Sequence, residues 1–232
     1  MVRVISLGGS IVAPDGVDTE FLSPFIRVIE EYMGRNPDQR LVFIVGGGGP
    51  ARHYQEAYKT LSPRTLDTEV ADRLDWIGIM ATRLNAELIR HCFGPLCMDP
   101  VVIDPTGNFD FQGRILVGAG WKPGFSTDFD AVLLAERFRA TQVINLSNVQ
   151  QVYTADPKID PAAKPLDRVS WEEFHRMVGD SWTPGSNLPF DPVATSKARK
   201  LGLQVIAAGG RDLDNLQKIL EGKPFFGTLI GE

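Results

Sequence analysis

The stretch Leu41-Val-Phe-Ile-Val-Gly-Gly-Gly-Gly-Pro-Ala-Arg-His53 joins an apolar segment, four glycines and a helix start in immediate succession. Residues 41–45 form a short apolar run, which is typical of a strand in the middle of a parallel sheet. Residues 46–49 lack Cβ atoms, so backbone N–H groups can approach a ligand closely. Pro50 suits the first helical position, and the N–H groups of that helix start would face the same ligand. The stretch therefore predicts a phosphate site, to which Arg52 adds a forked cation.

A second interpretation of the four glycines is a turn that serves only the geometry of the chain. We favour the ligand, because four consecutive glycines exceed what a turn requires. The order of strand and glycines occurs twice more, in residues 2–10 and 203–210. Ligands bind beyond the carboxyl ends of the strands in an open parallel sheet, so these glycines are expected to line one crevice. For residues 209–210 alone, a simple turn is an equal alternative.

Composition narrows the class of protein. The chain has 232 residues, of which 43% are hydrophobic, and a net charge of −5, which predicts a globular core and argues against nucleic-acid or anionic-membrane partners. Cys92 and Cys97 do not form a C-x-x-C pattern, which favours reduced thiols and a cytoplasmic location. A strand follows the start of the chain without a basic leader, and no run of eighteen apolar residues occurs, so neither export nor membrane anchoring is expected.

Hydrophobic spacing predicts the remaining elements. We expect helices over residues 19–34, 50–61, 67–93, 129–138, 171–178, 189–200 and 211–220, and further strands over 142–146 and 227–230, the last at a sheet edge. Alternation and turn residues in 101–117 predict a β-hairpin with a short returning strand. The alternation of strands and helices predicts one α/β domain over residues 1–232, a three-layer α/β/α sandwich around a mainly parallel sheet.

The loop 118–128 ends in Ser126-Thr127-Asp128, directly before a predicted helix. Any one of these three residues is explained by helix capping. A loop that places three hydroxyl or carboxyl groups after glycines is more consistent with a functional site.

Two glycine clusters at neighbouring strand ends suit two phosphate groups, which indicates phosphoryl transfer. Neither cluster continues into Gly-Lys-Ser/Thr, so this is not a P-loop protein. Gly46, Gly48 and Ala51 match a loose dinucleotide-binding fingerprint, with Asp67 at a suitable distance. That fold requires the acid at the end of a second strand, whereas residues 62–93 predict a break and a long helix.

Six motifs, taken together and in this order, resemble the amino-acid kinase family, and most of all its uridylate kinases of the archaeal type. They span nearly the whole chain: Ile5-Ser-Leu-Gly-Gly-Ser10, Val45-Gly-Gly-Gly-Gly-Pro-Ala-Arg52, Asp75-Trp-Ile-Gly-Ile-Met-Ala-Thr-Arg-Leu-Asn85, Pro123-Gly-Phe-Ser-Thr-Asp128, Val152-Tyr-Thr-Ala-Asp-Pro157 and Asp191-Pro-Val-Ala-Thr-Ser-Lys197.

The resemblance implies phosphorylation of a nucleoside monophosphate, in the first place UMP to UDP, with ATP and Mg²⁺. It also implies a homo-oligomer, either a dimer or a hexamer built from dimers. Residues of about 1–118 would form the acceptor-binding lobe, and residues of about 119–232 the ATP-binding lobe.

The resemblance also assigns roles by position. The ATP phosphates would be held by Gly8, Gly9 and Ser10, and the nucleoside of ATP by Asn148, Tyr153 and Asp156. The acceptor would be bound through its phosphate by Gly47, Gly48 and Arg52, through its ribose by Asp75, and by Thr127. The catalytic residues would be Asp128, which organises the cations, and Lys197. Neutralising the charge that develops on the transferred group is also the role that electrostatic reasoning gives to Lys197.

Three positions depart from the family pattern. Ser6 replaces a lysine found in many members, Gln150-Gln151 replaces Asp-Gly beside the nucleotide, and Trp121 stands where small residues are usual. Two alternatives follow from these departures. The first is a protein that binds or stores nucleotides or oxyanions without catalysis, and the second is a kinase for another small phosphorylated acceptor, such as an isoprenoid phosphate.

Overall fold

The structure, a computed structural model, describes residues 2–62, 68–157, 159–179 and 188–231. Its main sheet has seven strands in the order β3-β2-β1-β4-β8-β9-β7. In chain order the strands are β1 (Val2–Leu7), β2 (Arg40–Val45), β3 (Ile115–Gly118), β4 (Gln142–Ser147), β5 (Val152–Tyr153), β6 (Pro165–Leu166), β7 (Arg168–Val169), β8 (Gln204–Gly209) and β9 (Thr228–Ile230). Strands β3, β2, β1, β4 and β8 are mutually parallel, β9 is antiparallel to β8, and β5 pairs with β6 in a small separate sheet.

Helices cover both faces of the sheet. They are α1 (Gly9–Val12), α2 (Thr19–Arg35), α3 (Gly48–Leu61), α4 (Thr68–Cys92), α5 (Thr127–Arg137), α6 (Trp171–Val178), α7 (Pro192–Leu201) and α8 (Leu213–Leu220). One core packs α2, α4 and α8 against one face, and a second packs α5, α6 and α7 against the other. This arrangement confirms the predicted three-layer sandwich around a mainly parallel sheet.

The sequence was misleading at residues 101–117, where the structure has no hairpin. Val102 instead makes a single parallel bridge to Gly118, and β3 pairs in parallel with β2 at the edge of the main sheet. The segment between them is a loop, because its aromatic side chains are used for packing: Phe111 lies 5.3 Å from Phe138, ring to ring, and beneath the guanidinium of Arg40.

Smaller corrections concern element ends. Helix α3 begins at Gly48, so Pro50 is its third residue rather than its first. Strand β9 is not at the edge, because the short β7 pairs with it there. Helix α7 begins at Pro192, after the Asp191 cap, rather than at residue 189. Asp67, the acid of the dinucleotide alternative, lies outside the described residues.

The topology places one crevice in the molecule. From β1 the chain proceeds to β2 and β3 on one side, and later to β4 and β8 on the other. The direction of winding therefore reverses between β1 and β4, and ligands bind beside the carboxyl ends of strands at such a reversal.

Candidate active site

The glycine loops after β1 and β2 lie directly against each other. A Cβ atom on Gly9 would overlap the backbone nitrogens of Gly47 and Gly48, and one on Gly46 would overlap the nitrogen of Gly9. Gly48 also has a φ of +64°, which non-glycine residues rarely adopt. Only chains without side chains can approach this closely.

These contacts show that the four glycines are needed for close packing of the backbone. This is the geometric role that the sequence pattern alone did not favour. Gly47 packs against α4, where a Cβ would lie 3.2 Å from the carbonyl oxygen of Gly78, and a Cβ on Gly49 would lie 2.5 Å from the carbonyl oxygen of Pro14. The two interpretations are compatible, because the close packing brings the start of α3 beside the loop after β1. At the start of α3, Gly49 donates its N–H to the Ala13 carbonyl at 2.7 Å and Pro50 has no N–H, so an anion would depend on the N–H groups of Gly47 and Gly48.

Helix α4 fixes the second glycine loop. The Asn85 side chain donates to the carbonyls of Gly46 and Gly47, at 2.9 and 3.1 Å, and is 3% exposed. On the preceding turn, Thr82 Oγ1 accepts a hydrogen bond from Gly120 N at 2.8 Å. One helix therefore positions both the glycine loop and the loop that follows β3.

The loop after β3 is held at three further points. Asp75 accepts from Gly124 N at 2.8 Å, Arg83 donates to the carbonyl of Trp121 at 3.1 Å, and Asp130 accepts from Trp121 N at 3.1 Å. The Trp121 and Phe125 rings are 5.1 Å apart. These hydrogen bonds fix the position of the loop that leads into α5.

Asp128 lies where this loop meets β1. Its carboxylate accepts a hydrogen bond from Ser6 Oγ at 2.9 Å and another from Asp191 N at 3.3 Å. Burial raises the pKa of Asp128 to about 6, while the Ser6 hydrogen bond opposes the rise. The carboxylate is therefore ionised at pH 7 and above. Ser126 caps α5 through Phe129 N at 3.2 Å, so the capping explanation holds for Ser126.

On the other side of β1, a cavity of about 250 Å³ opens at the ends of β4 and β8. It is lined by Ile11, Ser147, Asn148, Gln150, Gly209, Gly210, Arg211, Asp212, Asn215 and Phe226. The glycines at the end of β8 leave space for the cavity, because a Cβ on Gly210 would lie 3.0 Å from Ile11. The third strand-and-glycine repeat thus belongs to the crevice.

Known proteins are similar to this chain in sequence and in fold. The profile of the amino acid kinase family matches residues 1–208. The chain belongs to the amino acid kinase family. A uridylate kinase of Methanospirillum hungatei is 37% identical over 98% of this chain and 93% of its own length, and one of Thermoplasma volcanium is 35% identical over 99% and 97%. The crystal structure of the Archaeoglobus fulgidus uridylate kinase superposes with a TM-score of 0.81 at 31% identity, with both chains fully covered.

In this amino acid kinase, the structure brings most of the sequence-predicted residues to the crevice. Gly8 and Gly9 lie against the second glycine loop, Ser10 follows them in α1, and Asn148 lines the cavity. Arg52 donates to the carbonyl of Pro14, at 2.7 Å, across the junction of the two loops. Thr127 begins α5 beside Asp128. Their individual roles remain predictions.

One predicted residue, Lys197, is directed away from the crevice. Lys197 Nζ is 2.7 Å from Glu136 Oε2, because α5 and α7 run side by side from the Asp128–Asp191 contact, and Lys197 is more than a turn further along. The contacts of Tyr153, in β5, and of Asp156 with the nucleoside of ATP remain predictions.

Sequence patterns alone also missed one buried carboxyl group and several residues that line the cavity. Asp130 is 1% exposed, and burial raises its pKa to about 8. Arg211, Asn215 and Phe226 line the cavity, yet their sequence positions carry no signal beyond the adjacent Gly209-Gly210 pair.

Replacing Ser6 with alanine is expected to shift the acidic limb of the pH–activity profile to higher pH. The Ser6 hydrogen bond lowers the pKa of Asp128, so its removal raises that pKa above its value of about 6. Activity that needs the carboxylate would then fall at a higher pH. Measured profiles of kcat/KM test this, with Ser170→Ala on the distant α6 cap as control. If the acidic limb lies at the same pH in Ser6→Ala and in the wild type, the limb does not report the ionisation of Asp128.

Helices in the described part of the chain include none that combines the length and the apolar character needed to cross a bilayer.

Proposed function

We propose that this amino acid kinase is a uridylate kinase, which transfers the γ-phosphoryl group of ATP to UMP and so forms UDP. The observation that carries the proposal is the direct backbone contact of two glycine loops beside the ionised Asp128. Two phosphorylated substrates bound at these loops would meet end to end. The full-length similarity to uridylate kinases of three archaea supports the same substrates.

The acceptor belongs on the side of α3 and α4, and the donor on the side of β4 and β8. The acceptor phosphate would bind at Gly47, Gly48 and Arg52, within the segment of about 1–118. The ATP phosphates would bind at Gly8, Gly9 and Ser10, with the nucleoside towards Asn148 in the segment of about 119–232. Phosphoryl transfer requires positioning and electrostatic stabilisation more than a covalent nucleophile, and rigid loops supply the positioning.

Mg²⁺ fits the carboxylate beside this contact. Proteins usually hold Mg²⁺ with one or two carboxylates together with substrate phosphates. Asp128 is such a carboxylate, and the described residues include no group of three or more acidic, His or Cys side chains that would bind a metal alone. When bound, the ion would neutralise charge on the phosphates, while the chain holds the carboxylate through Ser6 and Asp191.

Lys197 would have to leave Glu136 to reach the transferred group. Both side chains are partly exposed, at 31% and 42%, and ion pairs of that kind are weak. We therefore keep Lys197 as the proposed cation, with a rearrangement that accompanies substrate binding.

An acceptor panel tests the proposed function. ADP release with ATP and Mg²⁺ should require UMP and be weaker with CMP, AMP and isopentenyl phosphate. A preference for isopentenyl phosphate would mean that the acceptor is an isoprenoid phosphate and not UMP. Nucleotide binding without turnover of any acceptor would favour the non-catalytic alternative.

We further propose that the protein is a homo-oligomer built from dimers that pair through α4. Large apolar side chains at four-residue spacing stand exposed along this helix: Trp76 (45%), Met80 (57%), Leu84 (71%) and Leu88 (36%). Contiguous exposed apolar surface marks an interaction site.

In an antiparallel pairing centred on Met80, the middle of the stripe is self-complementary. Met80 would then face Met80 of the second copy, and Trp76 would face Leu84. The same register places Arg73 opposite Glu87, a pair of opposite charges, and Leu88 opposite Asp72. A two-fold interface requires this kind of self-complementarity.

Met80→Glu is expected to dissociate this pairing, because it places two carboxylates on the two-fold axis in an apolar contact. Sedimentation velocity should show the mass fall by at least half. Met98→Glu is the matched control, since Met98 is 58% exposed and lies outside α4. An unchanged mass in the Met80 variant would exclude α4 as the interface.

The reduced state of Cys92 and Cys97, which form no disulfide, supports a cytoplasmic location. Neither nucleic acid nor membrane is among the proposed partners.

A further inference from the structure

Strand β4 carries a buried amide, Asn145, on the face of the sheet that packs against α5, α6 and α7. Asn145 is 5% exposed and lies two residues after Val143, which belongs to that core, and alternate side chains of a strand share a face. A buried amide without a partner costs free energy. The Asn145 side chain donates to the carbonyl of Pro189 at 2.9 Å, so the amide is present in the core to hold the segment that contains Pro189.

That segment leads directly to Asp128. Phe190 is fully buried in the same core, and Asp191 caps α7 by accepting from Ala194 N at 2.6 Å. The Asp191 N–H donates to Asp128 Oδ2 at 3.3 Å. The position of this N–H therefore depends on the Asn145 hydrogen bond two residues earlier, whereas burial of Phe190 keeps the segment folded.

The other oxygen of Asp128 is held from the neighbouring strand. Strands β1 and β4 are parallel, and their register places Ser6 opposite Asn145. Ser6 Oγ donates to Asp128 Oδ1 at 2.9 Å. Two adjacent positions of the sheet thus control both carboxylate oxygens, one directly and one through residues 189–191. Supporting hydrogen bonds from rigid strands place a functional side chain more precisely than one contact does.

We propose that Asn145 is a positioning residue of the candidate active site. It holds the segment that carries the Asp191 N–H, and this N–H fixes the oxygen of Asp128 that Ser6 does not contact. The proposal rests on the proposed function in one respect, that Asp128 takes part in the phosphoryl transfer. Asn145 is buried and acts through Pro189 and Asp191 rather than by contact with a substrate.

Hydrogen exchange tests the placement without any substrate. In residues 189–192 only Phe190 and Asp191 carry an amide hydrogen, because the two flanking residues are prolines. Exchange at Asp191, resolved by mass spectrometry with gas-phase fragmentation, should accelerate about tenfold in Asn145→Leu, which is similar in size but donates no hydrogen bond. Asn145→Ala, which cannot overpack the core, should give the same acceleration and carries the measurement if the leucine variant does not fold.

Thr195→Val is the matched control, in the first turn of α7. Thr195 is fully buried, and its Oγ1 has no hydrogen-bond partner among the described residues. Valine is similar in shape, so the change removes a buried hydroxyl without removing a contact. Exchange at Asp191 and kcat should therefore equal those of the wild type.

Steady-state kinetics test the consequence for the transfer. Asn145→Leu should lower kcat about tenfold and leave the KM values for ATP and UMP within about twofold, because it misplaces a reacting group without touching the glycine loops. In the Asp128→Asn background the same change should lower kcat no further, since a residue that acts through Asp128 has no carboxylate left to position.

Two results overturn the proposal. The first is exchange at Asp191 that is the same in the wild type and in the Asn145 variants. The second is an equal fall of kcat when Asn145→Leu is added to the wild type and to Asp128→Asn, which would mean that Asn145 supports the fold without acting through Asp128. Faster exchange at Asp191 supports the placement even if UMP is not phosphorylated, whereas absence of UMP turnover in the wild type bears only on the proposed function.

Discussion

Asp128→Asn is expected to lower kcat for UMP phosphorylation by on the order of 10³ while leaving both KM values within a few-fold. Removing one electrostatic group of this kind costs about 10²–10³ in rate. The carboxylate is ionised at assay pH because its pKa is about 6, so the amide removes a full negative charge. It keeps an oxygen to accept from Ser6 or from Asp191 N, so the fold should persist. Steady-state kinetics at pH 7 and thermal melting measure the two effects.

Asp130→Asn is a matched control two residues along the same helix. Burial raises the pKa of Asp130 to about 8, so at pH 7 this carboxyl is mostly protonated and the amide changes little charge. Its kcat at pH 7 should stay within about fivefold of the wild type, because the amide oxygen can still accept from Trp121 N. A comparable loss in both variants would mean that Asp128 acts only through the structure of α5. Lys197→Ala adds a third measurement: a large fall in kcat supports its proposed movement away from Glu136.

Local patterns were sufficient to predict the elements around the crevice. The apolar run before Gly46 forms β2, and the following residues start α3, because strand, glycine and helix signals are adjacent in the sequence. Ser126 caps α5 where hydroxyl and carboxyl groups precede an apolar helix. These features depend on interactions between near neighbours, which a sequence displays directly.

The errors arise from contacts between distant residues. Residues 101–117 alternate like a hairpin, but in the structure Phe111 packs on the distant Phe138 and Arg40. Lys197 lies on the predicted helix, yet the direction of α7 relative to α5 carries it to Glu136.

Gly48→Ala is expected to destabilise the fold by at least about 3 kcal/mol, the sum of backbone strain and overlap with neighbouring atoms. The residue has a φ of +64°, and a Cβ there would overlap the carbonyl oxygens of Ala13 and Gly9. Both contacts are backbone atoms in the loop after β1, so relief requires the two glycine loops to separate. Activity should therefore be lost together with stability, which chemical denaturation measures.

Alanine variants at two other glycines distinguish backbone strain from atomic overlap as the cause of the lost stability. Gly202 has the same φ of +64° but no atom within 4 Å of the point where a Cβ would lie, so Gly202→Ala should show the cost of the backbone alone, about 1 kcal/mol. Gly16 has neither a positive φ nor a close neighbour, and its alanine variant should be within about 0.5 kcal/mol of the wild type. The excess of Gly48→Ala over Gly202→Ala then measures how tightly the loops are pressed together. If that excess is absent, the loops can part at little cost, and the end-to-end placement of donor and acceptor phosphates loses its rigid support.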